Sequence, residues 1–219
     1  MKKSSLRIFY TTMGVLAIIL IIAGFWPVYF RPILQGEGYH RHWIFHLHAI
    51  VSFLWLAIYL FQTILISSNR KKSHRTFGQK GFIFASGMFA MGLLITAFFL
   101  FEHFHNGEIS SLNEAFLEAS APVVDILQFA IFIFLGWKHR NKIQFHKRYM
   151  LLATIAILPP GTARMGYLLG PWSMEIIFCL IFVFVFGYDL KKLGIIHKAN
   201  IIGFLILLPR VLLNIAFHF

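Results

Sequence analysis

Negative charge is scarce in this chain: eight Asp and Glu stand against 20 Lys and Arg, and charged residues make up 13% of 219 positions. With 58% of the residues apolar and 17% aromatic, that shortage excludes a water-soluble globule of this size. Cysteine is almost absent as well. Cys179 alone, inside an apolar run, leaves no internal disulfide, no thiolate cluster for a metal and no CxxCH segment for covalent haem. GxSxG, HExxH, GxxxxGKS/T and GxGxxG are also missing, so hydrolase, zincin and nucleotide-binding chemistry lack their motifs. No Pro- or Gly-rich linker and no internal repeat divides the chain, which reads as one domain over 1–219.

What the chain has in abundance is long apolar runs. Seven can be drawn, at about 8–30, 43–66, 81–101, 121–137, 149–169, 173–189 and 200–217. At ~1.5 Å rise per residue, about 20 residues cross a hydrocarbon core of ~30 Å. The expected fold is all-α: a polytopic membrane helix bundle of seven transmembrane helices, with the lipid bilayer as its solvent. The first run follows Lys2, Lys3 and Arg7 as a signal sequence would, yet it continues to Phe30 without a small-residue cleavage pattern and reads as an uncleaved span. The net charge of +12 would suggest nucleic acid in a soluble protein. Here the cations fall between apolar runs and report orientation, with no nucleic-acid partner implied. Segments 1–7, 67–80, 138–148 and 190–199 hold 16 of the 20 Lys and Arg, while seven of the eight acids lie on the alternate side. The positive-inside rule then predicts a cytoplasmic N-terminus and a C-terminus outside. The second half of the outer segment 102–120 suits a short amphipathic surface helix. Gly81, Ala85, Gly87 and Gly92 suit close helix approach. Pro159 and Pro160 should kink the fifth span and Pro209 the seventh.

Histidine crowds both faces. His40, His42, His46, His48, His103, His105 and His218 fall outside; His74, His139, His146 and His197 fall inside. Residues two apart on a helix diverge by ~200°, so His46 and His48 cannot both face the bundle interior. Neutral imidazole is a common ligand for haem iron, zinc and copper, and two helices that each offer one histidine at matching depth can clamp a haem. Depth matching pairs His46 or His48 with His103 or His105 on the outside, and His74 with His146 on the inside. Two such centres would form an electron path across the membrane. Buried cations form the second class. Arg210 lies ~15 Å beyond Asn200, near the midplane, and calls for an anionic partner: Asp125, Glu175, a haem propionate, or a lipid or substrate carboxylate. Arg164 is nearly level with Asp125, which suggests an ion pair between them. Gln62 and Gln128 add hydrogen-bonding groups within spans.

The stretches HLHAIVSFLWLAIYLFQ, SHRTFGQKGF and HKRYMLLATIAILPPGTAR resemble a broad group of uncharacterised bacterial multi-pass membrane proteins, which share a histidine and a glutamine in one span, an HRxxG turn and an HxRxM start to a later span ending in arginine. The resemblance covers about His46 to Arg164 and points to His48, Gln62, His74, Arg75, Gly78, His146, Arg148 and Arg164 as key positions in a protein of the bacterial inner (plasma) membrane. The layout is also loosely similar to b-type dihaem cytochromes, from which it departs in having no span with two histidines about a dozen residues apart. The leading expectation is haem b, or else zinc or copper, held by His48, His74, His146 and one of His103 or His105, with Arg164 and Arg210 suited to propionates, for electron transfer to a quinone or another redox partner. A second is an outer metal site of His46, His103, His105 and Glu102 that activates water against a lipid or periplasmic substrate. A third is a non-catalytic transporter or assembly factor in which Arg164 and Arg210 hold an anion or a partner helix.

Overall fold

A computed structural model describes residues 3–37 and 42–216, with side chains from Ile8 onward; His40 and His218 lie outside the described residues. Every regular element among them is helical: α1 (Lys3–Phe25), a π-helical turn (Trp26–Phe30), α2 (Arg31–Leu34), α3 (Trp43–Ser67), α4 (Lys71–His105), α5 (Leu112–Lys138), α6 (Ile143–Ala156), α7 (Pro159–Ala163), α8 (Gly166–Leu169), α9 (Ser173–Leu193) and α10 (Lys198–Ala216). Among the described residues six stretches are long and apolar enough to cross a membrane: Ile8–Leu34, α3, α4, α5, α9 and α10.

The expected fifth span, 149–169, is the exception, because α6 ends at Ala156 and Pro159 starts a new short helix. Two successive prolines supply no N–H, so the ladder cannot run through them. The three pieces still join the two ends of the bundle. Arg148 near the start of α6 pairs with Asp189 near the end of α9, while the Thr162 carbonyl in α7 accepts from Ser173 Oγ at the start of α9 at 2.8 Å. Pro209, by contrast, lies inside a continuous α10.

The core follows from which faces are apolar. Arg148, Tyr149 and every residue from Leu151 to Ala156 are buried, so the second half of α6 is enclosed on all sides, as expected of a helical stretch apolar all round. It is packed by α1, α3, α5 and α10. Glycine permits the closest approaches. A Cβ on Gly136 would stand 2.8 Å from Met150 Sδ, and one on Gly203 only 2.3 Å from Leu152 Cδ1. On α4, Gly81 and Gly92 face Ile58 and Ile126 closely, but Gly87 has nothing within 4 Å and serves no such contact.

Helix ends differ from the apolar runs in two places. The surface helix expected in 102–120 is not separate: Ser111 Oγ accepts from Glu114 N–H at 3.2 Å and the Glu114 carboxylate accepts from Ser110 N–H at 2.7 Å, a reciprocal cap that starts α5 at Leu112 and carries it into the span. At the other face, Asn69 adopts φ 59° and turns α3 directly into α4, so that most of the basic segment 67–80 is helical.

Candidate functional site

The helix ends just described bring one pair of histidines together at the basic end of the bundle. His74, in the first turn of α4, and His146, in the first turn of α6, have ring centroids 6.2 Å apart and planes at 78°. Each ring is held by its Nδ1. The His146 Nδ1 lies 2.9 Å from the Gly136 carbonyl of α5; a carbonyl can only accept, so that nitrogen carries the proton and Nε2 keeps its lone pair. His74 is held by Gln62 of α3, whose amide faces the His74 carbonyl and Nδ1 with its nitrogen and accepts from Gly78 N–H at 3.1 Å with its oxygen. Gln62, His74, Gly78 and His146 thus form one cluster. Arg75 and Arg164 are exposed.

Next to this pair lies a charge cluster that sequence reading reached only in part. Arg148 Nη2 donates to Asp189, and Nη1 donates to the carbonyl and side-chain oxygen of Gln144, each at 2.9 Å. Asp189 also accepts from His197 N–H at 2.9 Å and from Asn200 Nδ2 at 2.7 Å, binding α6, α9 and the start of α10 into one network. Asp189 was not singled out by sequence. The available signal was its position, the one acid of eight on the basic side. His197 caps α10 by accepting from Ala199 N–H at its Nδ1 (3.1 Å). Burial, then the Arg148 guanidinium, lower its pKa from the usual value, and the Asp189 carboxylate partly offsets them. His139 donates from Nδ1 to the Leu135 carbonyl at 2.9 Å and stacks on Phe145, which accounts for it as a helix cap.

The buried arginines are arranged differently from expectation. Asp125 is taken by Arg210, with Nε to Oδ1 at 3.0 Å, and not by Arg164. Both partners of that pair are buried, so Arg210 is no open cation for an anionic ligand. Arg164 instead stands 4.8 Å over the Phe25 ring and donates to the Pro160 carbonyl, using one of the groups near the proline break. Neither arginine reaches the histidine cluster to serve a propionate there.

On the opposite face the expected outer pairing does not form. His42 packs on Phe98 with centroids 4.6 Å apart, which sets the register of α3 against α4. His46 and His48 run inward from that level while His103 and His105 run outward, so roughly 13 Å or more of helix rise separates the two sets. Each has separate surroundings. His46 Nδ1 is hydrogen-bonded to Tyr29 OH at 2.9 Å, His103 is paired with Glu108 at 2.7 Å, His105 stacks on Phe101, and His48 Nδ1 is buried without a partner. Among the described residues no three His, Cys, Asp or Glu side chains are grouped to hold a metal ion, so the outer set of His46, His103, His105 and Glu102 is not assembled.

Comparison with protein-family models, curated proteins and solved structures returns no match.

Proposed function

We propose that this chain is a seven-crossing protein of the bacterial inner membrane, N-terminus in the cytoplasm, in which His74 and His146 together bind haem b at the cytoplasmic end for electron transfer. The seventh crossing is the broken segment 149–169. The observation that carries the reading is the placement of two imidazoles from separate helices 6.2 Å apart, each fixed at Nδ1 by a neighbouring helix. Two imidazoles brought together from separate helices are the donor set that would hold a haem iron. His146 is already in the tautomer of a ligand that donates from Nδ1 to a backbone carbonyl. The Gln62 amide donates to His74 Nδ1, so that ring carries its proton on Nε2, and binding through Nε2 requires the ring to exchange tautomer and the Gln62 contact to rearrange. A structural zinc site takes four protein ligands, and no third ligating side chain joins this pair, which favours haem over zinc.

When bound, the haem would supply the one-electron chemistry; the protein's residues would supply two imidazole nitrogens, the Gln62 and Gly136 contacts that orient them, and the helix packing around them. The test is the absorption spectrum and iron content of protein purified from cells fed a haem precursor. A Soret band that is lost in His74→Ala and His146→Ala, with the variants still inserted and monodisperse, is expected. Full-length protein with neither Soret absorption nor bound iron overturns the reading.

A further inference from the structure

Far from the histidine pair, where the α6–α7 break faces α5, α9 and α10, the bundle contains a small cleft with about 20 Å³ of free room, enough for one water-sized group. Its polar lining comes from Arg210 and Gln128, which are 7% and 4% exposed, and from Thr162, whose hydroxyl donates to the Leu158 carbonyl at 3.3 Å. Gln128 Oε1 has no hydrogen-bond partner, and neither do Arg210 Nη1 and Nε. Arg210 Nε stands 3.0 Å from Asp125 Oδ1 as an ion pair, and Gln128 Nε2 donates to the Ile206 carbonyl at 2.8 Å. Buried polar groups are almost always satisfied, so one open donor and one open acceptor on the same cleft call for an occupant that offers the reverse of each.

The chemistry of that occupant is restricted further. Asp125 already neutralises Arg210, so a carboxylate or phosphate would bring an uncompensated charge into the bundle. The rest of the lining is mostly aliphatic, including Ile177, Ile181 and Leu207, and Pro159 and Phe178 at the cleft are only half-buried. We infer that the cleft binds the hydroxyl head of an uncharged long-chain alcohol. The hydroxyl oxygen accepts from Arg210 Nη1–H, the hydroxyl proton is donated to Gln128 Oε1, and the chain lies against Ile177 and Ile181 toward the lipid. This site stands independently of the histidine pair and of haem.

The experiment is native mass spectrometry of the full-length protein in nanodiscs, titrated with 1-hexadecanol, hexadecane or ionised palmitate. One saturable hexadecanol per chain is expected, with the alkane and the carboxylate weaker by about tenfold or more. Gln128→Leu should weaken hexadecanol binding by a similar factor. Ile181→Trp, which fills the apolar wall and leaves the polar atoms in place, should do the same and keeps the test valid if Gln128→Leu misfolds. Equal binding of alkane and alcohol, unchanged binding in Ile181→Trp, or no adduct at all, leaving the cleft to water, would each overturn the inference.

Discussion

Removing the Asp189 carboxylate should be among the most damaging single changes available in this chain. Asp189 and Arg148 are 0% and 1% exposed, and the carboxylate also serves His197 N–H and Asn200 Nδ2. In Asp189→Ala the guanidinium keeps its bonds to Gln144 but loses its counter-charge inside the bundle, a change that costs about 3–5 kcal/mol. The two abandoned donors add roughly 1–3 kcal/mol. Arg148→Met leaves the opposite orphan, a buried carboxylate that still receives two hydrogen bonds, and should cost about 3 kcal/mol. The double variant Arg148→Met/Asp189→Ala carries neither charge, so only the His197 and Asn200 donors remain unpaired, at about 1–3 kcal/mol. The two single losses together, about 7–11 kcal/mol, should therefore exceed the double loss by roughly 4 kcal/mol or more, a large coupling. Reversible unfolding of purified protein in mixed micelles, titrated with SDS, measures all four corners of the cycle. A parent-like Asp189→Ala, or single losses that simply add in the double variant, would refute the view that this pair anchors α6 to α9.

Backbone contacts should be less forgiving than side-chain ones. A Cβ on Gly24 would fall 2.0 Å from the Gly161 carbonyl oxygen, whereas one on Gly203 meets only the tip of Leu152. Gly24→Ala should cost about 3 kcal/mol and Gly203→Ala nearer 1 kcal/mol by the same unfolding assay, and the reverse order would contradict the α1–α7 packing. His197 predicts a pH dependence: its folded pKa is lowered, so the fold prefers the neutral ring, and stability present above the ordinary value near 6.5 is lost as pH falls below it. Protonation also places a hydrogen on the Nδ1 that caps α10. His197→Asn, which can cap without titrating, should remove about 1 kcal/mol of the acid-side loss, and an unchanged pH profile would count against the cap. For orientation, in a Cys179→Ser background, Glu108→Cys should react with a membrane-impermeant maleimide on intact cells and Lys142→Cys only after lysis; the opposite pattern would reverse the topology.

Spans were legible wherever hydrophobicity alone decides the outcome. The runs that became α3, α9 and α10 kept their limits within a few residues, because nothing in α3 or α9 opposes a continuous helix and Pro209 does not end α10. The segment 149–169 shows the limit of that reasoning. It is apolar enough to span, but Pro159 and Pro160 remove the donors that continuity needs, and composition does not say whether a proline bends a helix, as Pro209 does not end α10, or divides it. The α4 extension to Lys71 was illegible for the opposite reason. KKSHRTFGQK is polar, and its helix is tied to α3 by the Gln62 contacts with His74 and Gly78, a tertiary interaction that no local pattern contains. Depth matching named His74 and His146 as the inner pair, and their rings lie 6.2 Å apart. It failed outside because register there is set by His42 against Phe98, which shifts every later residue on α3 inward. For Arg164 and Arg210, depth named Asp125 as an acceptor without saying which arginine faces it, since that depends on helix rotation.

The distribution of polar residues over the spans has a physical reason beyond any single site. In lipid no hydrophobic drive presses helices together, so close packing and interhelical hydrogen bonds must do so. The two halves of this bundle use different means. Around α1, α3 and α7 contact is steric: Gly24 lies on Gly161, Gly14 admits the Tyr59 ring, and Tyr59 OH donates to the Tyr10 carbonyl at 3.3 Å. Around α10 contact is polar and recurs along its length. Asn200 meets Asp189 near the basic end, the Ile206 carbonyl receives Gln128, Arg210 meets Asp125, and Asn214 donates to Glu175 at 2.7 Å near the other end. A helix fastened by four separated polar contacts resists sliding, since a shift of one turn breaks all of them at once. It can still leave a space between two contacts where neither side chain is satisfied by the other, and the cleft at Arg210 and Gln128 lies at such a position. The polar atoms left open there are a consequence of how α10 is held, and a hydroxyl-bearing lipid would complete the set.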